Sequence, residues 1–251
     1  MPAAKLKGVI LAGGAGTRLA PLTRITNKHL LPIYDRPMVT YAIEALVGAG
    51  VSELMLVTGG THAGEFFRLL GDGHSYGIDR LFYGYQEKEG GIAEALGLAE
   101  RFVARGRAVV MLADNVFGRS LRPAIENFLA QERGARIVLA PVEEPEHLRH
   151  LGVPVLDGNS VVRIVEKPAD PPSSYAVTGV YFYDEAVWDC LPSLEPSARG
   201  ELEITDVNNW YVEQGVMEFD VAEGFWGDAG ESIDAYYEVN DFVRANGANR
   251  A

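Results

Sequence analysis

What this chain lacks narrows its chemistry. It has one cysteine, Cys190, among 251 residues, so neither an internal disulfide nor a cysteine-based zinc site can form. No apolar run approaches the ~18–20 residues that span a bilayer. The short apolar stretch Gly8–Ala12 leads into glycines, not into a signal-peptide cleavage pattern. These absences predict a cytoplasmic chain with no membrane partner. Net basicity is missing too. The 22 Lys and Arg against 35 Asp and Glu leave a charge of −13, which argues against nucleic acid held on a basic surface. Acid is missing from one place only. No Asp or Glu precedes Asp35, whereas Lys5, Lys7, Arg18, Arg24 and Lys28 do, so the first 34 residues carry +5 and the rest −18.

What is present reads as an α/β protein. At 47% hydrophobic and 23% charged, the composition is globular, and the length suits one domain over residues 1–251. Short Val-, Ile- and Leu-rich segments predict strands at Lys7–Ala12, Leu54–Thr58, Asp79–Tyr85, Ala108–Ala113 and Ile137–Val142. Helical spacing of apolar residues marks Met38–Ala49, Ile92–Val103 and Leu121–Gln131 between them. After Val142 the sequence predicts a hairpin over Pro154–Lys167, turning at Asp157-Gly158-Asn159, then a strand at Tyr175–Tyr183. A helix at Glu203–Gln214, a strand at Met217–Val221 and a helix at Ser232–Ala245 follow. The expected fold is a Rossmann-like three-layer α/β/α arrangement with a predominantly parallel mixed sheet. It would carry a small β-rich insertion over 143–183 and a C-terminal helix within 231–251.

Ligands in such folds bind beyond the carboxyl ends of the strands. Gly13-Gly14-Ala15-Gly16-Thr17-Arg18 occupies that position after the first strand. Its glycines allow close approach of backbone N–H groups to phosphate, and Arg18, Arg24 and Lys28 supply charge nearby. The loop is neither Walker A, since no Gly-Lys pair occurs, nor GxGxxG, since Leu19 stands where the last glycine belongs. Asp114 and Asp228 each follow a strand-like segment, and two such carboxylates with phosphate oxygens suit Mg²⁺. Gly73-His74-Ser75-Tyr76-Gly77 matches a hydrolase nucleophile elbow, but it lies between a helix-like and a strand-like segment, the reverse of the required order. His147 and His150 sit among Glu143, Glu144, Glu146 and Arg149, and read as a solvated charge run. Tyr236, Tyr237, Phe242 and Val243 read as the apolar stripe of the last helix, packed in the core or against a second copy.

The segment GVILAGGAGTRLAPLTRITNKHLLPIYDRPMVTYAIE (Gly8–Glu44) resembles the N-terminus of the sugar-1-phosphate nucleotidylyltransferases, and most nearly the short glucose-1-phosphate thymidylyltransferases. The resemblance continues through LGDGHSYG (Leu70–Gly77), Gln86, GGIAEAL (Gly90–Leu96), LADN (Leu112–Asn115), EKP (Glu166–Pro168), YAVTGVYFYD (Tyr175–Asp184) and ARGELEITDVN (Ala198–Asn208). It implies that Gly13, Gly14, Gly16 and Thr17 wrap a nucleotide and that Arg18 and Lys28 bind its phosphates. It implies that Gln86 and Gly91 read a pyrimidine, and that Gly152, Glu166, Lys167, Val177 and Arg199 hold a sugar phosphate. Asp114 and Asp228 match the carboxylates for Mg²⁺. Arg18, Lys28, Asp114, Lys167 and Asp228 become the expected catalytic set.

The implied reaction is attack of glucose 1-phosphate on the α-phosphorus of dTTP, giving dTDP-glucose and pyrophosphate. UTP, giving UDP-glucose, is the alternative nucleotide. A nucleotide-sugar-binding protein without catalysis would be expected to lose Arg18, Lys28, Asp114 or Asp228, and all four are present. The expected partners are therefore small-molecule substrates, with self-association left open. Three departures from the family pattern surround the sugar and metal positions. Ala113 replaces a usual Gly, Leu151 a usual Tyr, and Trp226-Gly227-Asp228-Ala229-Gly230-Glu231 a usual WLDTGT.

Overall fold

The computed structural model describes residues 5–251. Thirteen strands occur among the described residues. They are β1 (Lys7–Ala12), β2 (Pro32–Ile33), β3 (Arg36–Pro37), β4 (Glu53–Gly59), β5 (Arg80–Gln86), β6 (Ala108–Leu112), β7 (Asn115–Phe117), β8 (Ala135–Pro141), β9 (Gly152–Asp157), β10 (Ser160–Glu166), β11 (Tyr175–Tyr183), β12 (Met217–Val221) and β13 (Trp226–Asp228). Seven form the central sheet in the order β12-β8-β11-β6-β1-β4-β5. Every neighbouring pair is parallel except the two made by β11, which runs antiparallel between β6 and β8.

Alternation along β1 shows why both faces are covered. Ile10 and Ala12 enter one core with the helices Val39–Gly48, Ala63–Leu70 and Arg122–Ala130. Val9 and Leu11 enter the opposite core with Ile92–Gly97, Glu100–Val103 and Ile204–Glu213. Apolar residues at every position of a strand require a layer on each side. The mixed three-layer architecture expected from the sequence is therefore present.

Two expectations need correction. Tyr175–Tyr183 is not part of a β-rich insertion, because it is a central strand of the main sheet. Eight of its nine residues are buried, which agrees with a mostly apolar sequence interrupted only at Thr178 and Gly179 better than with a peripheral role. Only β9 and β10 form the separate hairpin. Ile92–Val103 is also two short helices, Ile92–Gly97 and Glu100–Val103, divided just after Gly97, a weak helix former.

The last helix, Ile233–Asn246, starts at Ser232, whose hydroxyl accepts the Ala235 N–H. Tyr236, Val239 and Val243 pack onto Leu19, Leu31, Ile33 and Tyr41, with Phe242 beside them, while Tyr237 is exposed. This cluster presses the acid-free N-terminal segment against the body of the protein. Among the described residues, no helix is long and apolar enough to cross a membrane.

Candidate active site

The strands deliver polar residues to one edge of the sheet. Gly13 and Gly14 leave β1 at the rim of a cleft of about 360 Å³. Gly16, with φ of 63°, then turns the chain into Thr17–Leu19 and accepts the Thr23 hydroxyl at 2.9 Å. That turn brings Arg18 to the cleft, whereas Gly16 and Thr17 support the loop without lining it. Arg24, which the charge count groups with the glycine loop, is exposed and does not line the cleft. Adjacency in a loop does not fix the direction of a long side chain.

Charge is concentrated where the N-terminal segment meets β6. Lys28 Nζ lies 2.5 Å from Asp114 Oδ2, and both residues line the cleft. Asn115 Nδ2 donates to Asp114 Oδ1 at 3.2 Å. The Asn115 Oδ1 in turn accepts the Gly179 N–H at 2.8 Å and the Trp226 indole N–H at 2.7 Å. Buried His29 places Nε2 3.7 Å from Asp114 Oδ2, while Asn27 Oδ1 accepts the His29 backbone N–H at 2.9 Å. Pairing of β13 with β7 sets Asp228 opposite Asn115, and the Gly230 N–H donates to Asp228 Oδ1 at 2.8 Å. A Cβ at Gly230 would strike Asp114 Oδ2 and would come within 2.8 Å of Lys28 Nζ. The backbone of the Asp228 loop thus closes directly over the ion pair.

The two aspartates differ electrically. Burial pushes Asp114 up, but the Lys28 ammonium and the contact with His29 outweigh it, so its carboxyl is held well below the usual range. Burial, and then the charge of Asp114, push Asp228 up to about 7, with Lys28 offsetting only part of the rise. For Lys28, burial opposes the charge, yet Asp114 and Asp228 together hold its pKa above the ordinary value. The site therefore holds one satisfied carboxylate and a second that is short of positive charge. This donor chemistry fits Mg²⁺, which takes one or two carboxylates and completes its shell with phosphate oxygens and water. Among the described residues no group of three or more His, Cys, Asp and Glu could hold a metal.

Gln86, which closes β5 and lines the cleft, donates from Nε2 to the Gly91 carbonyl and to Glu94 Oε1, both at 3.2 Å. Gly91 has φ of 96°, and a side chain there would collide with the Leu202 backbone. In the hairpin, pairing sets Gly152 opposite Glu166, and both line the cleft. Glu166 Oε2 accepts the Thr205 hydroxyl at 2.7 Å, and its Oε1 lies 3.4 Å from Lys167 Nζ and 3.8 Å from Arg199 Nη2. Lys167 itself has φ of 45°, a conformation costing about 1–2 kcal/mol in a non-glycine residue. Val177 on β11 completes this wall.

Every residue proposed from the sequence lines this one cleft except Gly16, Thr17 and Arg24. Sequence reasoning gave no role to His29, Thr205 or Gly230, and quoted Asn115 only within LADN. The polar pair Asn27 and His29 beside Lys28 was the available signal for the first of these. Gly73–Gly77 lies elsewhere, as a short turn between the helix Ala63–Leu70 and β5, so it forms no nucleophile elbow. The run around His147 and His150 is solvated as expected, with His150 exposed and His147 half-exposed, but the two histidines also face the site. His147 Nε2 lies 3.0 Å from Glu231 Oε2, and His150 lines the cleft. Chain beyond the hairpin and before the last helix supplies the partner of His147, which local charge density does not reveal.

The chain matches the nucleotidyl transferase family over residues 7–246. It belongs to that family. It is 40% identical over 243 residues to the glucose-1-phosphate thymidylyltransferase of Neisseria gonorrhoeae, covering 95% of this chain and 83% of the relative. It is 41% identical over 244 residues to the enzyme of the same name from an Actinoplanes species, covering 96% and 78%. A solved structure from Bacillus anthracis, provisionally named a glucose-1-phosphate thymidylyltransferase and holding sucrose, superposes with a TM-score of 0.89 at 44% identity, covering 95% of both chains. A UDP-glucose pyrophosphorylase complexed with UDP-glucose shares the fold at a TM-score of 0.80 and 24% identity, covering 96% of this chain and 99% of that one. The family resemblance read from the sequence is thus borne out, and this nucleotidyl transferase is an enzyme.

Proposed function

We propose that this nucleotidyl transferase joins dTTP and glucose 1-phosphate to give dTDP-glucose and pyrophosphate, with Asp114 and Asp228 holding Mg²⁺. The observation that carries the reading is the continuity of the cleft. Gln86, Gly91, Lys167 and Arg199 all line it, together with the paired Lys28 and Asp114. The names of the relatives at 40% and 41% identity support the choice of substrates.

The chemistry asks little covalent work of the protein. An oxygen of the sugar phosphate bonds to the α-phosphorus while the bond to the β-phosphate bridging oxygen breaks, and pyrophosphate leaves with that electron pair. A phosphate monoester is already a competent nucleophile at neutral pH, so no side-chain base is needed. The demand is to bring two anions into line and hold them. Lys167 and Arg199 would grip the sugar phosphate, Arg18 and Lys28 the triphosphate, and Glu166 would accept hydrogen bonds from sugar hydroxyls. Gln86 would pair with the pyrimidine edge. Bound Mg²⁺ would add positive charge against the phosphate oxygens as the bonds exchange.

Thymine and uracil present the same edge to Gln86, so the 5-methyl alone separates them, and one methyl is worth about 1–3 kcal/mol in a pocket. A pyrophosphate-release assay crossing dTTP, UTP, CTP, ATP and GTP with several sugar 1-phosphates tests the reading. The highest kcat/KM is expected for dTTP with glucose 1-phosphate. A higher kcat/KM for UTP would replace the nucleotide in this proposal, and no release in any pairing would overturn it.

A further inference from the structure

A second cavity, of about 550 Å³, adjoins the cleft and shares Arg18, His150, Lys167 and Arg199 with it. One further wall comes from the segment after β8, with the short helix Pro145–Leu148. The other comes from Glu231 and Ser232, just beyond Asp228. The two walls meet at a single ion pair, His147 Nε2 against Glu231 Oε2 at 3.0 Å.

That pair is lopsided. The Glu231 side chain is 8% exposed and that of His147 is 42% exposed. A carboxylate withdrawn this far from water needs compensating charge. Burial pushes the Glu231 carboxyl above its ordinary range, His147, His150 and Arg18 pull it back, and Glu238 on the last helix adds to the upward push. Glu144 and Glu146 also face the cavity, but Glu146 is largely exposed and paired with Arg149 at 3.0 Å. The buried anion of this basic chamber is therefore Glu231. It lines the same cavity as Arg18, which the proposed function assigns to the triphosphate.

We propose that Glu231 is a built-in competitor for the outer phosphates: pyrophosphate, as part of the triphosphate or as leaving group, displaces it from His147 and takes its place in the cavity that His147, His150 and Arg18 line. The inference rests on the proposed nucleotidyl transfer for its role in turnover, but the binding it describes does not require transfer. Displacing Glu231 releases the segment around Pro145–Leu148 from the Asp228 loop. Pyrophosphate bridging the same groups ties the two walls together again. Glu231 then restores the resting contact after the product departs, which limits how tightly pyrophosphate is retained.

Two variants, one on each side of the pair, give opposite signs. Titration calorimetry of the full chain with inorganic pyrophosphate and Mg²⁺, without nucleotide or sugar, is the test, with orthophosphate as the reference anion. Glu231→Gln should bind pyrophosphate about tenfold more tightly than the unmodified protein, because a like charge has been removed from the anion's place. His147→Gln should bind it several-fold more weakly, and orthophosphate should remain weak throughout. Weaker or unchanged binding by Glu231→Gln would overturn the proposal, since a purely structural clasp makes both variants fail together. If Glu231→Gln does not fold, His147→Gln and His150→Gln decide, and unchanged pyrophosphate affinity in both would overturn it. The absence of substrates from the cell separates this outcome from failure of the transfer reading, which the release assay measures.

Discussion

Lys28 Nζ and Asp114 Oδ2 meet at 2.5 Å, joining the acid-free N-terminal segment to the end of β6. The pair is shielded, with side-chain exposures of 18% and 8%, so it is not a surface salt bridge of negligible worth. Removing one partner leaves the other charged, buried and uncompensated.

Lys28→Met should therefore lower stability by about 3 kcal/mol and turnover by on the order of 10²-fold. Adding Asp114→Asn in the same chain should recover much of the stability without recovering turnover. Denaturant unfolding of the two single variants and the double variant, alongside rate measurements, checks this. Strictly additive stability losses would show that the two side chains are not coupled.

Asp228 sets a pH dependence. With its folded pKa pushed up to about 7, the metal-free folded chain holds a proton that an unfolded aspartate, near pKa ~3.9, has already lost. This group's contribution to stability without metal therefore falls as pH rises through that window. Mg²⁺ must displace the same proton below about pH 7. The rise in melting temperature produced by Mg²⁺ should be larger at pH 8 than at pH 6. Equal shifts at the two values would remove Asp228 from the metal site.

Two glycines give contrasting outcomes. Gly230→Ala drives a methyl group into Asp114 and Lys28, and small displacements of catalytic groups are costly. Turnover should fall by at least about tenfold. Gly48, exposed at the end of the helix Val39–Gly48, has nothing within 4 Å of the corresponding methyl position. Gly48→Ala should leave turnover intact and add about 0.5–1 kcal/mol of stability. Parallel thermal melts and kcat measurements check both.

Ser75 provides the control against acyl chemistry. It lies in the turn before β5, not at a strand-to-helix elbow. Ser75→Ala should keep nucleotidyl transfer within about twofold of the parent, since surface substitutions away from special features are nearly neutral.

Much of this was legible in the chain because the signals were local. The boundaries of β1 and β11 follow from runs such as KGVILA and YAVTGVYFY, and Asp157-Gly158-Asn159 marks the hairpin turn. The glycine loop with Arg18 and Lys28 announced a phosphate site through its composition. What stayed hidden depends on pairing between distant segments. The β13–β7 ladder brings Trp226 and Asp228 to Asn115, and nothing within either short strand specifies its partner. The same holds for His147, whose neighbours in sequence suggest solvent while its contact in space is Glu231. Placing β11 inside the sheet required knowing that β6 and β8 leave a gap for it.

The central claim is that one cleft joins a nucleotide to a sugar phosphate through the Lys28–Asp114–Asp228 centre. Phosphorus NMR of the unmodified enzyme with dTTP, glucose 1-phosphate and Mg²⁺ tests it most directly. Equimolar dTDP-glucose and pyrophosphate should accumulate, and Asp114→Ala should slow both by on the order of 10²-fold or more. Orthophosphate in place of pyrophosphate, or an Asp114→Ala enzyme of undiminished rate, would contradict the account.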